Sequence, residues 1–151
     1  MAQEAKAVII DTYAIMADLT GQAPRSAVRV LERVRRGVTR GIIHYLIVYE
    51  LAYHSLRGRL PFRDMRELKE FVDTYLYIAS LDPLTAVEAA KIKAIGDGIL
   101  RDSDAGGLSR RRLSVADATT IALALSYGVP IVTGDRDLSY VARKMGVDII
   151  W

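Results

Sequence analysis

The 151 residues contain no cysteine, which excludes disulfide cross-links and thiolate metal centres together. No apolar run approaches the roughly 20 residues that a membrane-spanning helix needs. The opening stretch, MAQEAKAVIID, lacks the long apolar core of a secretory leader and carries Glu4 near its start. These absences predict a cytoplasmic protein with no membrane association. The sequence has no GxGxxG and no GxxxxGK followed by Ser or Thr, so the glycine-rich cradles of dinucleotide and P-loop sites are missing.

Net charge is also scarce, at +3, yet five of the 21 cations are lysine and the other 16 arginine. The arginines gather between Arg25 and Arg40, between Arg57 and Arg66, and at Arg110, Arg111 and Arg112. A guanidinium can give phosphate two parallel hydrogen bonds. The same groups serve equally well as solvated helix faces, so a basic surface alone is a weak pointer to nucleic acid.

Composition is otherwise that of a globular chain, 51% apolar and 26% charged, with enough length for one core. No linker or repeat divides it, which predicts a single domain over residues 1–151. Apolar runs at Ala7–Ile10, Gly41–Ile43, Tyr77–Leu81, Pro130–Thr133 and Val147–Ile150 read as strands. Helices are expected at Tyr13–Leu19, Pro24–Arg36, Tyr45–Leu56, Arg63–Tyr75, from Asp82-Pro83 onward, Val115–Tyr127 and Leu138–Met145. The helix after Pro83 is expected to turn Val87, Ala90, Ile92 and Ile95 inward. Residues Asp97 to Arg112, with GDG, DSDAGG and SRRR, read as a loop. Strands alternating with helices predict an α/β fold, a three-layer α/β/α sandwich around a parallel sheet of about five short strands.

Ligands of such sheets bind beyond the carboxyl ends of the strands. Asp11 follows the first strand in VIIDTYAIM, and Thr133, Asp135 and Asp137 follow the fourth in PIVTGDRDL. Asp117 opens a helix in LSVADATTIALAL, and Glu50 lies inside the helix YLIVYELAYHSL. The aspartates each have a plain structural explanation. Asp11, Asp135 or Asp137 can cap the following helix, and Asp117 can close a capping box with Ser114. Glu50 has no capping role, and its neighbours Leu46, Tyr49 and Tyr53 make its helix face largely apolar. Buried there it needs a partner, either His54 one turn on or an arginine from elsewhere. Carboxylates converging at one sheet end repel each other unless a hard divalent cation neutralises them. Such a cation, with oxygen ligands and exchangeable waters, suits hydrolysis of a phosphodiester.

Taken together, VIIDTYAIM, YELAYH, LSVADATTIALAL and IVTGDRDL resemble the PIN-domain ribonucleases, and within them the VapC-type toxins of toxin–antitoxin pairs. The likeness runs over nearly the whole chain, and the last two motifs, with 18 residues from Asp117 to Asp135, are its most specific part. It implies an endoribonuclease dependent on Mg²⁺ or Mn²⁺, with Asp11, Glu50, Asp117 and Asp135 as the catalytic acids. Asp11, Asp117 and Asp135 would bind metal, Glu50 would act through a water, and Asp137 would be an auxiliary acid. Thr133 and Thr12 would support the carboxylates, and Arg110, Arg111 and Arg112 would hold the RNA backbone. It further implies 5′-phosphate and 3′-hydroxyl products, a cognate antitoxin, and a homodimer. Tyr45–Tyr53 and Phe62–Tyr77 are the segments available for a dimer contact, unless they are core. An RNA-processing nuclease, or a catalytically silent PIN domain that binds RNA or protein, is the alternative. A haloacid-dehalogenase phosphatase would need a second acid where Tyr13 stands, and a receiver domain a lysine after its last strand. Bulky Tyr13, His44 ahead of the Glu50 helix and the long Asp97–Gly107 segment depart from the family pattern. They bear on substrate choice more than on the acidic site.

Overall fold

A computed structural model describes residues 4–151. Five short strands, β1 (Ala7–Ile10), β2 (Arg40–His44), β3 (Tyr77–Ala79), β4 (Ile131–Val132) and β5 (Ile149–Ile150), pair in the order β3-β2-β1-β4-β5. Every pairing is parallel. Seven helices connect them: α1 (Thr12–Leu19), α2 (Arg25–Arg35), α3 (Tyr45–Leu56), α4 (Met65–Tyr75), α5 (Pro83–Arg101), α6 (Val115–Tyr127) and α7 (Arg136–Lys144). A single 3-10 turn lies at Leu108–Arg110. The expected α/β/α sandwich is the observed one; β1 has its expected bounds, β2 is longer by a residue at each end, and β3, β4 and β5 are two residues shorter. No helix of the described residues is long and apolar enough to cross a membrane.

The pleat explains the two layers. Alternate residues of a strand face opposite sides, and here both sides are apolar because helices cover both. Val8, Ile10, Ile43 and Val132 pack with α1 to α4 through Ala14, Leu31, Ile47, Leu51 and Val72. Ile9, Ile42, Ala79 and Ile131 pack with α5 to α7 through Ile92, Leu100, Ile121, Leu138 and Val141.

Helix α5 departs most from expectation. It continues through the GDG sequence to Arg101, so the first part of the expected loop is helical. Of the four residues expected to face inward, only Ile92 does; Val87 and Ile95 are more than half exposed and Ala90 is exposed as well. The inward stripe is Ala89, Ile92, Gly96 and Leu100. A glycine contributes no hydropathic signal, which hid this stripe in the sequence. Its cause is close packing: a Cβ on Gly96 would stand 2.7 Å from Leu113 Cδ2 and 3.2 Å from Val141 Cγ1. Polar groups lock the same contact. Leu113 N donates to Asp97 Oδ1 at 2.8 Å, and Lys93 Nζ donates to Leu113 O at 2.7 Å and to Asp97 Oδ2 at 3.0 Å. Tertiary contact thus outweighs the ~1 kcal/mol helix penalty of each glycine.

The two glycines should therefore respond oppositely to substitution. Gly96→Leu overpacks the α5–α6 contact and should cost about 1–3 kcal/mol, read as a fall in Tm. A Cβ on Gly98 would meet only Arg101 Nη2, at 3.5 Å, so Gly98→Ala should raise stability by roughly 0.5–1 kcal/mol. Calorimetry showing both variants less stable would contradict this packing account.

Candidate active site

The strand order reverses between β1 and β4. From these two neighbours the chain leaves to opposite faces, into α1 on one side and α7 on the other. The divergence opens a crevice beyond their carboxyl ends. Asp11 and Thr133 are the first residues past β1 and β4, and they meet there: Thr133 Oγ1 donates to Asp11 Oδ2 at 2.8 Å.

Asp11 is also the N-cap of α1, its Oδ1 accepting from Ala14 N at 3.0 Å. Thr133 Oγ1 accepts from Asp135 N at 3.0 Å, and Asp135 caps α7 by accepting from Leu138 N at 2.9 Å. Asp117 lies in the first turn of α6, where Ser114 Oγ accepts from its backbone N–H at 3.0 Å. Glu50 lies mid-way along α3 and is half-buried. The Thr12 hydroxyl donates to its Oε2. The partner expected for Glu50 was His54 or an arginine; the structure supplies Thr12 instead, while His54 turns to Arg59 at 3.2 Å. Nor is its helix face apolar and buried, because Tyr49 and Tyr53 are exposed. That face looks outward because α3 packs on the sheet through Ile47 and Leu51.

The four acids feel one another. Asp11 is 4% exposed, and burial pushes its carboxyl up to about 7 against the pull of the Ala14 and Thr133 bonds; Asp135 and Glu50 add to the rise. Asp117 is pushed up to about 8, first by burial and then by the charges of Asp135 and Asp11. Yet among the described residues no three His, Asp or Glu side chains stand close enough to enclose a metal ion. Most of these carboxylates are turned to a helix amide or a threonine hydroxyl. The donor set nevertheless fits Mg²⁺ or Mn²⁺, which take carboxylates sparingly and keep several waters. A cation would also offset the burial, and the lesser repulsion, that raise the two aspartates. Asp11, Asp117 and Asp135 could hold such an ion, with Glu50 reaching it through water.

Other expected residues fall differently. Asp137 is buried and paired with Arg111 Nε at 3.0 Å, and it lines the same recess as Asp135. Arg111 lines a recess of about 350 Å³ with Asp135 and Tyr13. Arg110 and Arg112 are exposed, with no contact to the acids among the described residues. Two further residues stand near the site, His44, noted in the sequence for its place ahead of the Glu50 helix, and Trp151, which gave no sequence signal. His44 ends β2, fully buried, with Nε2 2.9 Å from Thr120 Oγ1 of α6. Its Nδ1 has no partner, and burial pushes the imidazole down to about 4. Trp151 lies far along the chain but folds back beside Tyr13, ring centroids 5.5 Å apart and nearly perpendicular.

A family model described as the PIN domain matches residues 8–144, which includes all four acids and both helices that Asp11 and Asp135 cap. The chain belongs to the PIN-domain family. Solved structures agree on the fold. PAE2754 from Pyrobaculum aerophilum is 21% identical with a TM-score of 0.58, over 95% of this chain and 91% of that one. VapBC2 from Rickettsia felis, bound to a DNA fragment from their promoter, is 13% identical with a TM-score of 0.64, over 95% and 96%. FitAcB from Neisseria gonorrhoeae is 14% identical with a TM-score of 0.53, over 94% and 95%. Sequence comparison with curated proteins finds no match.

The acids of this PIN domain should make the metal-free protein less stable as pH rises. The unfolded chain releases these protons near the ordinary value of 3.8, whereas the folded chain keeps them to about 7 and 8. Stability is therefore full below about pH 4 for these groups and is lost through pH 8. His44 works the other way, costing stability as pH falls from 6.5 to about 4. Between pH 6.5 and 8.5 the aspartates dominate, with His44 offsetting a small part near pH 6.5, and a fall on the order of 2 kcal/mol is expected in EDTA. Asp117→Asn should remove most of it, as read from urea midpoints; an equally steep fall in the variant would contradict the assignment.

Proposed function

We propose that the chain is a Mg²⁺- or Mn²⁺-dependent endoribonuclease acting in the cytoplasm as the toxin of a toxin–antitoxin pair. The observation that carries this reading is the set of four carboxylates at the β1/β4 crevice, two of them held so far above the ordinary range that a cation is their natural partner. Family membership supports nuclease chemistry, and VapBC2 and the FitA–FitB assemblies share the fold. A bound divalent cation supplies charge neutralisation at the phosphate and a lowered pKa for a coordinated water.

The chain's own residues supply the rest. Asp11, fixed by bonds from α1 and β4, is the rigid ligand. Asp117 and Asp135, each in or beside the first turn of a helix, are kept in direction by the helix amides. Glu50, steadied by Thr12, orients the attacking water. Water oxygen bonds to phosphorus and gives up a proton as the bond from phosphorus to the 3′ oxygen breaks; the 3′ oxygen takes up a proton in exchange through solvent, and the products are a 5′-phosphate and a 3′-hydroxyl. A catalytically silent module has no use for four carboxylates whose crowding costs stability, which favours the enzyme over the binding-only alternative.

A recess of about 750 Å³ elsewhere on the molecule is lined by none of the acids. Tyr45, Leu46, Leu81, Ala86 and Val115 line it, and Lys93 is its one charged residue. Tyr45, Leu81 and Val115 are well exposed, as are Tyr49 and Leu84 nearby on α3 and α5. By contrast Phe62 and Phe71 pack against the core. This apolar surface is where a second copy would associate, in keeping with the homodimer expected from the sequence. An antitoxin segment reaching the acidic crevice would then neutralise the enzyme.

Cleavage of single-stranded RNA should require Mg²⁺ or Mn²⁺ and stop in EDTA. Asp11→Asn and Asp117→Asn should each lower the rate by ~100-fold or more; activity surviving both substitutions would sink the assignment. In light scattering the wild-type chain should have the mass of a dimer, and Tyr45→Glu with Leu81→Glu that of a monomer. A wild-type monomer at tens of micromolar would contradict the dimer.

A further inference from the structure

One helix face beside the crevice is not taken up by the acids, and on it only Tyr140 packs against the core. Arg136, Tyr140, Arg143 and Lys144 fall at i, i+4, i+7 and i+8 on α7, and so share one face. The opposite face is spent on the core through Leu138, Val141 and Ala142. The shared face lines a recess of about 520 Å³ that continues past Thr133 and Gly134 and is closed by Trp151. Gly134 and Arg136 also line the 350 Å³ recess holding Asp135, so the two spaces adjoin and make a trough beside Asp135.

Three properties of this trough point to the same ligand chemistry. First, its aromatic wall is built in place. A Cβ on Gly134 would collide with Trp151 Cε2 and stand 2.7 Å from its Nε1, so only glycine lets the indole lie over the β4–α7 loop. The edge of Tyr13 holds the ring from another side, and Trp151 remains 36% exposed. Second, the cations are free of carboxylates, although Arg136 Nη2 donates to Gly106 O at 3.1 Å. Among the described residues Arg136, Arg143 and Lys144 have no carboxylate within ion-pairing distance. Arg143 and Lys144 are exposed, and Lys144 Nζ stands over the Tyr140 ring at 5.6 Å. Third, the volume suits one nucleotide rather than a helix groove. An exposed aromatic plane flanked by unpaired cations is how proteins hold single-stranded nucleic acid, with bases stacked and phosphates neutralised. A duplex hides its base faces and cannot use it.

We propose that this trough is a subsite for the RNA strand beside the scissile phosphate. Trp151 stacks on a base displaced from the strand, and Arg143 and Lys144 neutralise the adjoining phosphates. The inference rests on the nuclease reading for the identity of the strand, but its test needs no turnover.

Trp151 is the only tryptophan of the chain, so tryptophan emission reports on this wall alone. Full-length protein in EDTA is titrated with a short single-stranded oligoribonucleotide, with emission and the anisotropy of a labelled strand read in parallel. Quenching that saturates with the same Kd as the anisotropy is expected, with the duplex of the same sequence quenching little. Trp151→Ala should weaken binding by roughly 5- to 150-fold, the range measured for loss of one stacked base. Trp151→Phe, which keeps an aromatic plane, should lose less. Arg143→Ala with Lys144→Ala should lower the slope of log Kd against log salt by about 1.4, two phosphates' worth on a single strand. Circular dichroism identifies any variant that fails to fold, and the surface Arg143 and Lys144 changes keep the test decisive if Trp151→Ala does. RNA that binds without quenching, equal quenching by duplex, or an unchanged salt slope would each overturn the subsite, leaving the trough as a surface for a protein segment. Cleavage with no quenching would refute the subsite and spare the nuclease reading; quenching with no cleavage in Mg²⁺ or Mn²⁺ would do the reverse.

Discussion

The hydrogen bond from Thr133 to Asp11 joins two strands that sit side by side in the sheet but 122 residues apart in sequence. It closes the seam at which the chain departs to opposite faces, and so it stands where the sheet has no further ladder bonds to give. One carboxylate oxygen is spent on it and the other on the first turn of α1. Asp11 is thereby fixed in direction by elements from both layers of the sandwich. Thr133 passes the constraint on, since its oxygen also receives the Asp135 amide. Misplacing this single group would loosen α1, α7 and the crevice together.

The same bonds set the cost of the site. Burial keeps Asp11 and Asp117 from ionising easily, and the remaining acids make the matter worse. Helix amides and hydroxyls hold them in position but only partly offset the repulsion. Position and charge are therefore handled separately: the fold supplies geometry, while neutralisation is left to something that arrives from solution.

Legibility in the sequence followed this division. Elements whose pattern is local could be read directly. The apolar strands of β1 and β2, the Ser114 cap and the helix start at Asp82-Pro83 all stand where neighbouring residues predict them. The aspartates could be singled out because each follows a strand or opens a helix, Glu50 because capping cannot explain it, and family likeness collected them. What could not be read depends on partners distant in sequence. The inward face of α5 includes Gly96, whose value lies only in the room it leaves for Leu113. The pairing of Asp137 with Arg111 and of Glu50 with Thr12 crosses 26 and 38 residues. Trp151, the last residue in the chain, gives no local signal of folding back over Gly134.

The clasp between α5 and Leu113 bears on how such a domain can change over time. Lys93 and Asp97 grip the Leu113 backbone from both sides, and Leu113 immediately precedes the cap of α6. The start of α6, and Asp117 with it, is thus anchored to the middle of α5 rather than to the end of the segment 102–112 that joins them. Closing a longer connection costs little extra entropy, about 0.6 kcal/mol per doubling of its length. Insertions and deletions in that segment can accordingly accumulate without re-aiming Asp117. The rim of the crevice is free to diversify between lineages while the acids beneath it stay in register.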